Sequence, residues 1–356
     1  MILVIDPSVS IIKLKIVSLK NKFSESNFEE INPEDIVNRI KSIKKNKKIK
    51  AIVFRIVYGS KNFNSLVEVN DKFLKQFKEL VTEFPFYVPI IEMLIRTFHE
   101  NCKGIKMFAM FETGFFNKLP KEEQYYAISL KLSKKYSFKR YGFHGIFHEF
   151  HAKKVGPNEK VVSIVFDKKT TVCSIYKNKP CSISLGYTPL EGIMSNTSCG
   201  DLDSGVVFYL MKNHKKSIFQ IDDILKNQSG FKGITGYSLK MKDFMKLYGK
   251  DKKVNLAFDV YKNQVLKYIG EAIAILGGID KIIISGQYVK VLLPVILNLL
   301  KSISFLGINL NPLPWGKNND FLTITTKQSD VLISINNNSL FQIMAYTVAK
   351  KLKFLV

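Results

Sequence analysis

Arginine is nearly missing from this sequence. Of 54 lysines and arginines in 356 residues, only Arg39, Arg55, Arg96 and Arg140 are arginines. A net charge of +24 and a pI near 9.6 raise nucleic acid or an anionic surface as partners. Base readout, however, favours arginine forks, and the lysine-rich runs at residues 41–50 and 131–139 read as solvated helix ends. The lysines keep company with many Asn, Ile and Phe, a drift spread along the whole chain, so nucleic acid is not expected as a partner. Cysteine is also sparse. Cys102, Cys173, Cys181 and Cys199 show neither C-x-x-C spacing nor obvious pairing, and fit reduced, mostly buried thiols. Long apolar runs are lacking: residues 289–300 are interrupted by Lys290 and Pro294 and are too short to span a bilayer. The first residues, M-I-L-V-I-D-P, reach an acid at Asp6 without a basic region, which argues against a signal peptide. No glycine/serine linker, low-complexity tract or short-period repeat is visible. What remains is ample apolar content, 46%, for two cores and hence two domains, in a chain expected to be cytoplasmic and enzyme-like.

The order of elements is readable from periodicity. An apolar run at residues 1–5, a turn at Pro7 and alternation over residues 11–18 predict a β-hairpin. Asn32-Pro33-Glu34-Asp35 predicts a helix start, with Asn32 as N-cap and Pro33 at the first helical position. Residues 51–57 read as a buried strand, 67–84 as an amphipathic helix, and 161–165 with 171–176 as a second hairpin around D-K-K-T, by itself an ordinary exposed turn. A short helix over 221–230, a long amphipathic helix over 254–277, a strand over 281–285 and a closing helix over 340–355 complete the pattern. Two strings stand out: R-Y-G-F-H-G-I-F-H-E-F-H at residues 140–151 and G-Y-T-P-L-E-G-I-M at 186–194. Gly142 and Gly145 permit close backbone approach or positive φ, and His144 between them is placed to meet a ligand. His144, His148 and His151 share one helix face, but H-E-F-H is one residue short of H-E-x-x-H and no acid completes a zinc site. Packing and capping roles are expected for His148 and His151.

These two strings closely resemble the acetate kinase family, and matches to that family follow in order along the chain. The resemblance implies an α/β fold of two actin-like (ribonuclease H-like) domains flanking a cleft. Residues 1–113 plus 338–356 would form one domain, and 114–337 a second on the nucleotide side, also the surface of a homodimer. It implies transfer of phosphoryl between ATP and acetate, giving ADP and acetyl phosphate, with Mg²⁺. In F-R-I-V-Y-G-S-K-N-F, Arg55 matches the arginine that holds the carboxylate or phosphate of the substrate. An arginine bridging to a core-edge acid is the structural alternative. Val57, Phe86, Phe143 and Pro189 match walls of the substrate pocket, with Phe86 narrowing it towards small acids. Glu112, in M-F-E-T-G-F-F, stands at the family's catalytic aspartate, and His144 matches the residue that reaches the transferred group.

The nucleotide side departs further. The first turn reads D-P-S-V-S-I for N-x-G-S-S-S, with Ser10 left as a phosphate contact and Asp6, together with Asn338 in I-N-N-N-S-L, left towards the metal. The second turn, V-F-D-K-K-T-T for H-x-G-N-G-S-S, leaves Lys168 and Thr170. K-M-K for D-F-R leaves Lys240 and Lys242, and Gly286 alone remains of a later glycine loop. In N-T-S-C-G-D-L-D, Ser198 stands where the family has a second catalytic arginine. An arginine of that kind is worth roughly 10³–10⁵ in rate. Activity is therefore expected to be weakened or lost. The alternative is a non-catalytic homologue that binds a small carboxylate or acyl phosphate, or serves as a partner subunit.

Overall fold

The computed structural model describes residues 1–7, 11–19, 23–26, 29–46, 48–59, 63–80, 88–311 and 320–354. The strands are β1 (Ile2–Pro7), β2 (Ile12–Val17), β3 (Glu29–Ile31), β4 (Ala51–Ile56), β5 (Leu66–Glu68), β6 (Lys106–Phe111), β7 (Val161–Phe166), β8 (Thr170–Tyr176), β9 (Lys179–Ile183), β10 (Lys281–Ser285), β11 (Phe321–Thr323) and β12 (Leu332–Asn336). Among the helices, α1 (Ile36–Lys45), α2 (Asp71–Glu79), α3 (Val88–Asn101), α4 (Lys121–Gln124), α5 (Leu130–Tyr136) and α6 (Gly145–Ala152) come first. They are followed by α7 (Ser204–Asn213), α8 (Ile218–Asn227), α9 (Gly230–Thr235), α10 (Met241–Leu247), α11 (Lys252–Leu276), α12 (Leu293–Ser302) and α13 (Leu340–Lys351). The chain divides into two compact units. One comprises Met1–Asn117, Gly145–Phe147 and Asn338–Val356, the other Lys118–His144 and His148–Asn337.

The first unit is built on a sheet of order β3-β2-β1-β4-β6-β5. Here β1, β4 and β6 run parallel, while β2, β3 and β5 are antiparallel to their neighbours. The three parallel strands are near-continuous apolar runs, as strands buried on both faces must be. Ile36, Ile40 and Ile43 of α1, Phe73 and Phe77 of α2, and Ile91, Ile95 and Phe98 of α3 complete its core. The second unit has a sheet of order β11-β12-β10-β7-β8-β9. Read from the other edge it has the first sheet's order and pairing sense at every step, with β7, β10 and β12 parallel. Its core rests mainly on α11, which Asp251 caps through Val254 N–H and which Gly277 ends in the left-handed conformation.

Both hairpins and the strand at 281–285 lie where the sequence predicts them. Four helix expectations are corrected. The helix expected over 67–84 begins instead with β5, because Leu66–Glu68 pairs with the edge of β6, and α2 starts only where Asn70 caps Phe73 N–H. Residues Pro33–Asp35 form a 3₁₀ turn, so α1 starts after Asp35, not after Asn32. The Ser217–Gln220 capping box starts α8 three residues earlier than expected, and Gly230 belongs to α9. The closing helix, capped by a Ser339–Gln342 box, ends at Lys351.

Candidate active site

In the first unit, Asp6, Arg55 and Glu112 come together at the carboxyl ends of three adjacent parallel strands. Asp6 is the penultimate residue of β1, Arg55 the penultimate residue of β4, and Glu112 follows β6 directly. Carboxyl ends of parallel strands are where α/β proteins place ligand chemistry, because side chains there are anchored by the sheet yet reach its rim. Arg55 Nε donates to Glu112 Oε1 at 2.7 Å, and Nη1 lies 3.1 and 3.3 Å from the two Asp6 oxygens. Glu112 is 1% exposed and needs such a partner. Its Oε2 also accepts the Ile146 N–H at 3.3 Å, and its carbonyl accepts the Gly145 N–H at 2.9 Å. Gly145 is required there, since a Cβ would run into that carbonyl. Thus the bridging role of Arg55 is what this unit displays, and its guanidinium remains a fork held in place by two carboxylates. Val57 lies half-buried just past β4, and Asn338 half-buried just before the cap of α13.

This donor set does not suit a resident divalent metal. Mg²⁺ is typically bound by one or two carboxylates plus substrate phosphates and water, but the Arg55 cation already bonds both Asp6 and Glu112. Among the described residues, no three His, Cys, Asp or Glu side chains converge as a metal cage.

In the second unit, the two family-like strings are tied to each other. The Tyr141 N–H donates to Gly186 C=O at 3.0 Å, and Arg140 Nη1 and the Tyr126 hydroxyl both bond the Glu191 carboxylate. Phe143 is buried. His144 caps α6 from a left-handed backbone, φ 59° and ψ 24°, and its Nδ1 is 3.1 Å from Thr171 Oγ1. A non-glycine residue in that conformation carries strain of a kind concentrated at functional sites. His148 and His151, one helical turn apart, are fully buried against Ser163 of β7. Burial holds His148 well below the usual histidine range and His151 down to about 3.

The nucleotide residues expected from the second turn and beyond fare differently. Lys168, Lys240 and Lys242 are exposed. Thr170 is not available as a phosphate ligand: it is buried, and its hydroxyl shares a 2.6 Å hydrogen bond with Tyr261. Gly286, at φ 110°, lacks a side chain because a Cβ would meet the Phe166 carbonyl, so its place in the fold is a packing one. Pro189 is exposed rather than enclosed. Ser10 and Phe86 lie outside the described residues. Of the four thiols, Cys102 and Cys173 are buried, Cys181 and Cys199 half-buried, and all are free.

The sequence offers Lys169 beside Lys168 only as charge in the second turn; its place against Ser198 was not legible. Its amine reaches over Ser198, donating to Ser198 Oγ at 3.3 Å and to Leu190 C=O at 3.5 Å. Burial pulls this amine down to about 8, against an opposing influence from Cys199 and Asp201. Asp201 is itself engaged by Gly192 N–H at 2.6 Å and by the Tyr268 hydroxyl. Ser163, Thr171 and Asn336 were likewise missed as histidine partners. The only signal for them is hydroxyl and amide groups at strand positions otherwise apolar.

Two sheets of one topology, with charged residues at the carboxyl rim of the first, define the actin-like α/β class. The solved acetate kinase of Porphyromonas gingivalis has this fold, with a TM-score of 0.89 at 21% identity and 99% of both chains covered. A propionate kinase from Francisella tularensis superposes with a TM-score of 0.83 at 22% identity, covering 97% of both. The model of the acetokinase family matches residues 11–345, and the chain belongs to that family. The acetate kinase of Dictyoglomus thermophilum is 33% identical over 292 residues, 80% of this chain and 73% of the relative. The acetate kinases of Caldicellulosiruptor bescii and Clostridium novyi are matched over 62% and 75% of their own length. Among the described residues, no helix is long and apolar enough to cross a membrane.

Proposed function

We propose that this protein transfers a phosphoryl group between ATP and a small carboxylate such as acetate, more slowly than relatives that keep arginine at the position of Ser198. The observation that carries this reading is the Asp6–Arg55–Glu112 group at the ends of β1, β4 and β6. In this reading Arg55 is the guanidinium that holds the substrate carboxylate or phosphate, and Glu112, its partner at the strand ends, orients the attacking substrate oxygen. On the same reading His144 donates to the transferred group. Mg²⁺ enters with the nucleotide, carried by its phosphates. Slowness follows from Ser198, since the Lys169 ammonium beside it is a point charge and not a fork. Four free thiols favour a reducing, cytoplasmic setting.

The functional unit we propose is a homodimer. Helix α7 buries none of its side chains, and Phe208 on α7 and Phe219 on α8 are 67% and 87% exposed. A surface of that kind, with one charged residue in the ten of α7, suits a second copy of itself.

The test is ATP-dependent acyl phosphate formation trapped as the hydroxamate, at high protein concentration with saturating acetate and Mg²⁺. Turnover that Arg55→Ala removes is the expected result. No turnover above that variant would sink the enzymatic reading in favour of a carboxylate-binding homologue.

A further inference from the structure

Five polar side chains of the second unit join His144 to the interior in one unbroken line. Asn336 Nδ2 is 3.1 Å from His151 Nε2, and His151 Nδ1 is 2.7 Å from Ser163 Oγ. Ser163 Oγ is 2.6 Å from His148 Nδ1, His148 Nε2 is 2.9 Å from Thr171 Oγ1, and Thr171 Oγ1 is 3.1 Å from His144 Nδ1. His148, His151, Ser163 and Thr171 are all 0% exposed.

Hydrogen counting gives the line a direction. An amide nitrogen can only donate, so His151 Nε2 accepts from Asn336. Both buried imidazoles are neutral, as burial demands, and each therefore has one N–H. His151 consequently donates from Nδ1 to Ser163. In the arrangement that keeps every hydroxyl hydrogen within the line, Ser163 donates to His148 Nδ1. His148 then donates from Nε2 to Thr171, and the Thr171 hydroxyl donates to His144 Nδ1. In that arrangement a neutral His144 carries its proton on Nε2.

We propose that Asn336, His151, Ser163, His148 and Thr171 form a relay of positioning residues that fixes His144 as the Nε2–H tautomer, so that it presents a hydrogen-bond donor to phosphoryl oxygens. The group that His144 touches rests on the phosphotransfer reading; the tautomer does not. A donor aimed at oxygens that gain negative charge assists transfer, whereas a bare ring nitrogen there would repel them. The relay also explains why these polar groups are kept in an otherwise apolar interior: with its buried hydroxyls and imidazoles hydrogen-bonded to one another, the network costs little and favours one ring orientation.

The experiment is two-bond ¹H–¹⁵N correlation on the full chain with ¹⁵N-labelled histidine, the five histidines being assigned with His144→Gln, His148→Gln and His151→Gln. The expected pattern is Nε2–H for His144 and His148 and Nδ1–H for His151. A wild-type His144 protonated on Nδ1, or averaging between tautomers, overturns the proposal. Ser163→Ala cuts the line, and an Nδ1–H population is expected to appear at His144. Asn336→Asp replaces the donor with an acceptor and is expected to reverse the chain. His144 signals unchanged in a folded Ser163→Ala or Asn336→Asp protein also overturn it. If the wild type turns over, Ser163→Ala should lower kcat by about tenfold with little change in KM, and Ser163→Thr should restore it. Absence of turnover with the expected tautomers would defeat the phosphotransfer reading and leave the relay standing.

Discussion

Lys169 and Ser198 meet at the position where the family resemblance places a second arginine. The serine removes a guanidinium, and a lysine from the β7–β8 turn brings an ammonium to its hydroxyl at 3.3 Å. Burial lowers this amine from the ordinary 10.5 to about 8, which has consequences for both stability and binding. Between pH 8 and 10.5 the unfolded chain binds a proton that the folded chain has released, so this group makes stability rise with pH over that window. Below pH 8 the charged amine is a standing cost. Lys169→Met should therefore be more stable than wild type at pH 7 and lack the rise, as measured by urea unfolding from pH 7 to 10. Affinity for ATP should weaken as pH passes through about 8 in the wild type and be both weaker and flatter in Lys169→Met. Calorimetry giving superimposable pH curves for the two proteins would remove Lys169 from the site.

Helix α6 connects local structure to the chemistry of its N-terminal histidine. It starts from the left-handed His144, presses Gly145 against the Glu112 carbonyl, and buries His148 and His151 on Ser163. Both buried imidazoles have folded pKa values below the unfolded 6.5, His151 at about 3. The unfolded chain then gains protons that the folded chain refuses as pH falls below 6.5. Stability contributed by their neutrality is present above pH 6.5 and is lost progressively on acidification towards 3. Each group adds a slope of up to about 1.4 kcal/mol per pH unit in that range. Urea unfolding between pH 6.5 and 5, above the carboxylate range, should show this fall, and His151→Gln should reduce its slope. An unaltered slope in that variant would mean that His151 titrates normally in the folded protein.

The whole chain repeats one design: two sheets of identical order and strand sense, each with three central parallel strands. The copies have diverged in use. The first gathers Asp6, Arg55 and Glu112 at its rim, whereas at the second Asn336 turns inward to His151 and Gly286 serves close packing. The exposed apolar side chains of α7 and α8 bear on the homodimer proposed above. Phe208→Asp with Phe219→Asp should convert a dimer to a monomer by light scattering, with little loss of far-ultraviolet helical signal. A wild type that is already monomeric at micromolar concentration would refute the self-association proposed for this surface.

Periodicity alone was enough to locate both hairpins, the strand at 281–285 and the long helix α11, because alternation and helical spacing are carried by neighbouring residues. The strings around His144 and Glu191 disclosed the family for the same reason. Element starts at Asp35, Asn70 and Ser217 were less legible, since cap choice and edge pairing compete with propensity. The partners of the functional side chains were hidden altogether. Arg55 meets Asp6 and Glu112 from 49 and 57 positions away, and His151 meets Asn336 from 185. Only strand order brings such residues together, and strand order is settled by which buried faces pack across the whole sheet. Ligand-type residues were therefore visible in the chain, but whether Thr170 faces outward, what Arg55 holds and which nitrogen of His144 bears a proton were decided by the folded structure.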